Sequence, residues 1–87
     1  MKPIRKTDVR MKVVGGESVL YRTNEKAVHV LNATAKLIWE LCDGKHTETD
    51  IEKAIRSNFS VPKNHDVVAD VRNTLEGFAT KNLLVLA

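Results

Sequence analysis

The side chains of this chain that could do covalent or metal chemistry are few and scattered. Cys42 is the one cysteine, so it has no second thiol with which to form an intrachain disulfide or a thiolate metal site. His29, His46 and His65 fall in segments that read as a strand, a turn and a loop, without the i, i+4 or Cys-paired spacing that metal sites use. Ser57 or Ser60 could be grouped with a histidine and an aspartate, but every short chain contains such triples. No nucleophile elbow is present. The expectation is no catalytic residue, no metal and no cofactor.

The chemistry that remains belongs to the backbone. Ala27-Val28-His29-Val30-Leu31 has no formal charge, no proline and no glycine, so as an edge strand it carries nothing to repel a further strand. The segment Arg10 to Val14 places Arg10 and Lys12 at alternate positions, and charges of that kind blunt an edge. An extended peptide binds by adding a strand to an open edge, and the third strand is the better candidate. Two alternatives stay open: Leu83 to Leu86 could cover the edge, or a second copy of the chain could pair with it.

The elements that must position this edge follow from the pattern. With 87 residues, 43% hydrophobic and 29% charged, the chain fits a single folded domain, 1–87, with one core. Residues 1–8 are expected to be a flexible N-terminus, 9–31 a β-meander and 32–86 a helical unit. Arg10 to Val14, then Gly15-Gly16, then Glu17 to Arg22 reads as a hairpin. Thr23 to Lys26 turns into Ala27 to Leu31. Asn32 is a helix N-cap, and Ala33 to Cys42 is apolar nearly all round, with Trp39 as a core anchor. Asp43-Gly44 stops that helix. Thr47 and Asp50 approximate a capping box for a second helix carrying Ile51, Ala54, Ile55 and Phe59 inward. Pro62 breaks the chain. A third helix runs from about His65 or Asp66 to Lys81 with Val67, Val68, Val71, Leu75 and Phe78 inward, flanked by Asp70 and Thr74 on one side and Arg72 and Ala79 on the other. The fold class is α+β: a three-stranded antiparallel sheet followed by a three-helix bundle, of winged helix-turn-helix character.

Specific residues then carry a resemblance. Leu31-Asn32-Ala33-Thr34-Ala35, Ile38-Trp39, Leu41-Cys42-Asp43-Gly44 and Thr47, followed by Ile51, Asp70-Val71 and Asn82-Leu83-Leu84, resemble the PqqD signature LNxTAxxIWxLCDGxxTxxEI, then DVxxxLxxLxxxGLL. The resemblance spans roughly residues 9 to 86 and is densest from Leu31 to Thr47. Asp50 stands where the family often has Glu, and Asn82 where it often has Gly; asparagine tolerates left-handed φ better than most residues. The resemblance implies a non-catalytic recognition element for ribosomally made, post-translationally modified peptides. Such an element holds a precursor's leader peptide between the third strand and the third helix. Its partner is a modifying enzyme, either a radical SAM protein or a lasso-type protease and cyclase. The implied peptide-binding residues are Ala27, Val28, His29, Val30 and Leu31 on the strand, with Val68, Val71, Arg72 and Leu75 on the helix. The Val68 and Arg72 flank is favoured because a cation there could meet an acidic leader residue.

Two other functions compete. Three helices, a small sheet and a net charge of +3 permit a DNA-binding winged helix, but the third helix holds only Arg72 and Lys81 against Asp66, Asp70 and Glu76. A DNA reader concentrates cations there, so no nucleic-acid partner is expected. A dimerisation domain tethering enzyme subunits is the third reading. No apolar run reaches the roughly 18 to 20 residues of a membrane span, and the N-terminus lacks a signal-peptide core; a cytoplasmic protein without membrane contact is expected.

Overall fold

The computed structural model describes residues 2–86. Eight elements follow one another: β1 (Pro3–Arg5), β2 (Val9–Val14), β3 (Glu17–Arg22), β4 (Val28–Leu31), α1 (Ala33–Glu40), α2 (Glu48–Asn58), α3 (Val67–Thr80) and β5 (Leu84–Leu86). The class is the α+β arrangement read from the pattern, a three-stranded antiparallel sheet in the order β2-β3-β4 with three helices.

The sheet register sorts the side chains. Leu20 lies opposite Met11 on one neighbour and His29 on the other, while Val19 lies opposite Lys12 and Val30. Alternation along a strand sends these two sets to opposite faces. The Leu20 face packs on the helices, and Leu20 is fully buried. On the outer face the Lys12 ammonium sits 4.9 Å from the centre of the Tyr21 ring. Gly15 and Gly16 both have positive φ, 58° and 83°, as a two-residue hairpin turn that follows the right-handed strand twist requires.

The helices start where the caps dictate. The Asn32 side chain accepts a hydrogen bond from the Ala35 amide at 2.8 Å. At α2 the capping box is complete, with Asp50 replacing the usual glutamate: the Thr47 hydroxyl takes the Asp50 amide and the Asp50 carboxylate takes the Thr47 amide. Asp66 caps α3. Helix α1 is two residues shorter than its apolar run suggests, ending at Glu40 before Leu41 and Cys42. The core joins Leu20, Leu31, Ile38, Trp39, Ile51, Ile55, Val71, Leu75, Phe78 and Leu83. Trp39 meets Phe78 edge to face with ring centres 5.4 Å apart.

The segment expected to be a flexible N-terminus is instead structured from its third residue. Pro3–Arg5 pairs antiparallel with Leu84–Leu86 in a separate two-stranded ladder. Its other edge is held by the turn after α1: the Arg5 amide donates to the Cys42 carbonyl at 2.8 Å and the Gly44 amide to the Pro3 carbonyl at 3.0 Å. The Arg5 guanidinium donates to the Trp39 and Glu40 carbonyls at 3.1 and 2.7 Å, satisfying acceptors that the end of α1 leaves without helical partners. Gly44 has φ 80°, and a Cβ there would lie 3.0 Å from Cγ1 of Ile4, so both its conformation and the approach of β1 exclude a side chain. Of the apolar C-terminal run, Leu83 and Leu84 are buried in the core while Val85 is exposed.

Two further features involve α3 and the residues at its C-terminal end. Arg22, 7% exposed, lies within the fold between Asp8, Glu25 and the carbonyl of Asn82. Gly77 interrupts α3 internally, where glycine costs about 1 kcal/mol relative to alanine.

Candidate binding groove

β4 is the terminal strand of its sheet, and among the described residues no strand pairs with its outer side. The hydrophobic C-terminal run could have closed that edge, but β5 pairs with β1. The edge is shorter than its sequence suggests. Ala27 lies outside the strand, which begins at Val28. Of the expected strand residues, Val28 and Val30 are exposed on the outer face, His29 is half-buried and Leu31 enters the core.

From Leu31 the chain turns through Asn32 into α1, and this corner faces α3. Asn32, Thr34 and Ala35 line a cavity of about 370 Å³ with Asp70, Asn73 and Thr74. Thr34, Asp70 and Thr74 also line an adjoining cavity of about 310 Å³, which continues over Ile38, Ile55, Phe59, Val61, Pro62, Val67 and Val71. The shared residues make one continuous groove with an apolar inner end. At the opposite end of α3, Arg22 of β3 donates to the Asn82 carbonyl, and the register sets Tyr21, its neighbour, against Val28. The start of β4 thus lies on the side of the sheet tied to the C-terminal end of α3, and its end leads through Asn32 to the groove at Asp70, Asn73 and Thr74.

The helix residues expected at the site divide accordingly. Val71 and Leu75 are buried in the core, and Val71 also reaches the apolar cavity. Val68 is half-buried. Arg72 is exposed but bonded to the Glu48 carboxylate of α2 at 3.1 Å, so its flank faces α2. The flank that faces the corner between β4 and α1 is the other one, Asp70, Asn73 and Thr74, with Gly77 one turn further on at the i+3 and i+4 spacing that keeps residues on one helical face. A heptad-like apolar stripe identifies the buried face of a helix. It does not say which of the two bordering flanks turns toward the sheet, and the cation at Arg72 pointed to the flank that meets α2.

The groove's electrostatics are mildly acidic at the apolar end. His65 contacts the Asp70 carboxylate there, and Asp66 caps the helix. Ser60, His65 and Asp70 all line the apolar cavity, and His65 contacts Asp70, but among the described residues no hydrogen bond joins Ser60 to His65. Burial pushes the Cys42 thiol up to about 12, and its Sγ donates to the Ile38 carbonyl at 3.1 Å, so it stays a protonated, inward thiol. Among the described residues no group of three or more His, Cys, Asp or Glu side chains is placed to hold a metal, and no helix is long and apolar enough to cross a membrane.

Two solved structures share this fold. A solved structure of TbiB1 in complex with the TbiA(beta) leader peptide is 27% identical, covers 93% of this chain and 93% of its own, and superposes with a TM-score of 0.75. A lasso peptide synthetase B1 complexed with its leader peptide has the same fold, with a TM-score of 0.81, 16% identity and coverage of 99% and 100%. No curated protein sequence matches. The sequence profile of Coenzyme PQQ synthesis protein D (PqqD) matches residues 17–84, from the start of β3 to the first residue of β5. This chain belongs to the PqqD family.

Proposed function

We propose that this chain captures the leader segment of a ribosomally made precursor peptide as an added strand on β4 and holds it for a modifying enzyme, without performing catalysis itself. The observation that carries the reading is the strand edge Val28–Leu31, unpaired among the described residues, which leads at Asn32 directly into the groove on α3. TbiB1, 27% identical, is a leader-peptide complex, which supports the same occupant here. The partner in this reading is the modifying enzyme of the same pathway, a radical SAM protein or a lasso-type protease and cyclase.

Magnitudes assign the work. A four-residue edge exchanges about three or four backbone hydrogen bonds worth roughly 0.5–1.5 kcal/mol each, so about 2–6 kcal/mol together. A micromolar complex needs about 8 kcal/mol, and ordering a free peptide adds a further cost. Apolar burial must supply the difference: each leader side chain buried in the groove, as against Ile38, Phe59 and Val61, contributes about 1.5–3 kcal/mol, so two or more are needed. Arg72 is engaged with Glu48 on the flank facing α2, so the magnitudes above assign it no contribution. Asp70 in the groove lining disfavours a phosphate backbone, which favours a peptide over DNA as the occupant.

The test is amide exchange on free and bound protein, with synthetic peptides tiling the short reading frames that flank the gene and the TbiA(beta) leader as a reference probe. Protection is expected on Val28–Leu31. Protection on Val9–Val14 instead would place the peptide on the wrong edge for this reading. Of His29→Pro and Val30→Pro, the one whose N–H points away from β3 should weaken binding while leaving the ladder to β3 intact.

A further inference from the structure

Gly77 has no structural duty inside the chain. Its φ is not positive, and a Cβ built on it would meet nothing within 4 Å. Gly44, by contrast, is required by both its φ and the contact with Ile4. A glycine that burdens its helix with no packing or conformational return in the free chain points to something that arrives later.

Its position says what. Gly77 shares the face of α3 that carries Asn73 and Thr74, which line the groove together with Asn32, Thr34 and Ala35, where β4 ends and α1 begins. A strand added antiparallel to β4 runs from the Leu31 end to the Val28 end, and so passes Thr74 before Gly77. Side chains on one face of that strand recur about every 6.8 Å, close to the roughly 5.4 Å between successive turns of the helix. When one inward side chain enters the cavity at Thr34, Asp70 and Thr74, the next, two residues toward the leader's C-terminus, reaches α3 one turn on. There it meets a bare Cα.

We propose that Gly77 is a specificity-determining residue: the open space over it seats a bulky, apolar side chain of the bound leader, two positions after the residue anchored in the groove. This rests on the strand-addition reading above.

The experiment measures fluorescence anisotropy with the synthetic flanking-frame peptides and the TbiA(beta) leader, alongside the melting temperature of each variant. Gly77→Ala should melt no lower than wild type yet bind more weakly, and Gly77→Leu should lose about 5- to 100-fold in affinity, the range that overpacking a contact produces. Glu76→Ala, on the exposed face of the same turn, should bind as wild type. Replacing the leader's second inward residue by alanine should restore most of the affinity lost in Gly77→Leu. If Gly77→Ala and Gly77→Leu bind every probe as wild type does while the β4 proline variant is impaired, the proposal is wrong and the strand-addition reading stands. If the wild-type protein binds none of the peptides, both fall. A folded Gly77→Ala that weakens binding sustains the proposal even where Gly77→Leu fails to fold.

Discussion

Replacing Arg22 with alanine should destabilise the protein by about 3–4 kcal/mol, and the source of that loss is the informative part. Three partners surround the guanidinium: Asp8 at 2.9 Å, Glu25 at 3.8 Å, and the carbonyl of Asn82. The two carboxylates are 61% and 51% exposed, so solvent screens them and neither ion pair dominates. The hydrogen bond to the Asn82 carbonyl is different, because a charged donor contributes about 1.5–3 kcal/mol net. The side chain is 7% exposed, and losing two buried methylenes at about 0.8 kcal/mol each adds roughly 1.5 kcal/mol. For a domain of this size, urea titration with a slope near 1 kcal/mol/M would register a midpoint shift of about 3 M. Arg22→Met keeps the stem and loses the donor, so it should recover about half of the deficit. Asp8→Asn should shift the midpoint far less than either. A destabilisation by Asp8→Asn equal to that of Arg22→Ala would show that the ion pair, and not the tie to α3, is what Arg22 supplies; Arg22→Met as stable as wild type would refute the argument from the other side.

Other expectations are independent of this one. Trp39, 3% exposed and stacked edge to face on Phe78, should cost about 3–5 kcal/mol as Trp39→Ala, and a loss below about 1 kcal/mol in denaturant would mean that the ring is not core. Acidification should destabilise through Asp8, held low chiefly by the Arg22 hydrogen bond, and through Asp43 and Asp50, held low chiefly by the Lys45 and Thr47 amides. Because the folded values lie beneath the ordinary 3.8, the stabilisation is present above that value and drains away as pH falls through the depressed ones. Melting curves from about pH 5 to about pH 2 should show a shallower acid loss for Asp50→Asn than for wild type. A disulfide reagent should leave Cys42 untouched in the native protein and modify it on unfolding; fast native labelling would contradict its burial.

The sequence announces the local features and is silent on the distant ones. The Gly15-Gly16 hairpin, the Asn32 cap and the Thr47–Asp50 capping box are encoded within a few residues each, and all are present. Asn82 takes φ 62°, the left-handed position expected where the family often has glycine. The β1 ladder was not legible: Pro-Ile-Arg is too short for any periodicity, and its partner lies at the far end of the chain. Arg22 shares the Leu20 face by alternation, but the partners that let a charge be buried there, Asp8, Glu25 and the Asn82 carbonyl, are set by tertiary contacts. For the groove, the open strand could be read from its lack of charge, whereas the matching flank of α3 depended on how the helix is rotated against β4, a tertiary quantity.

The β1–β5 ladder has a kinetic meaning as well. It joins segments roughly 80 residues apart, and closing so long a loop in a disordered chain costs about 4 kcal/mol of entropy. Three short rungs at Pro3, Ile4 and Arg5 cannot meet that cost alone. The helices must first carry Leu83 and Leu84 into the core and present the Cys42 carbonyl and Gly44 amide, after which the remaining gap is small. The ladder is therefore the last part of the fold to assemble and the first to open, so its amides should exchange by local fraying long before those of β3, which is paired on both sides from the moment the meander forms.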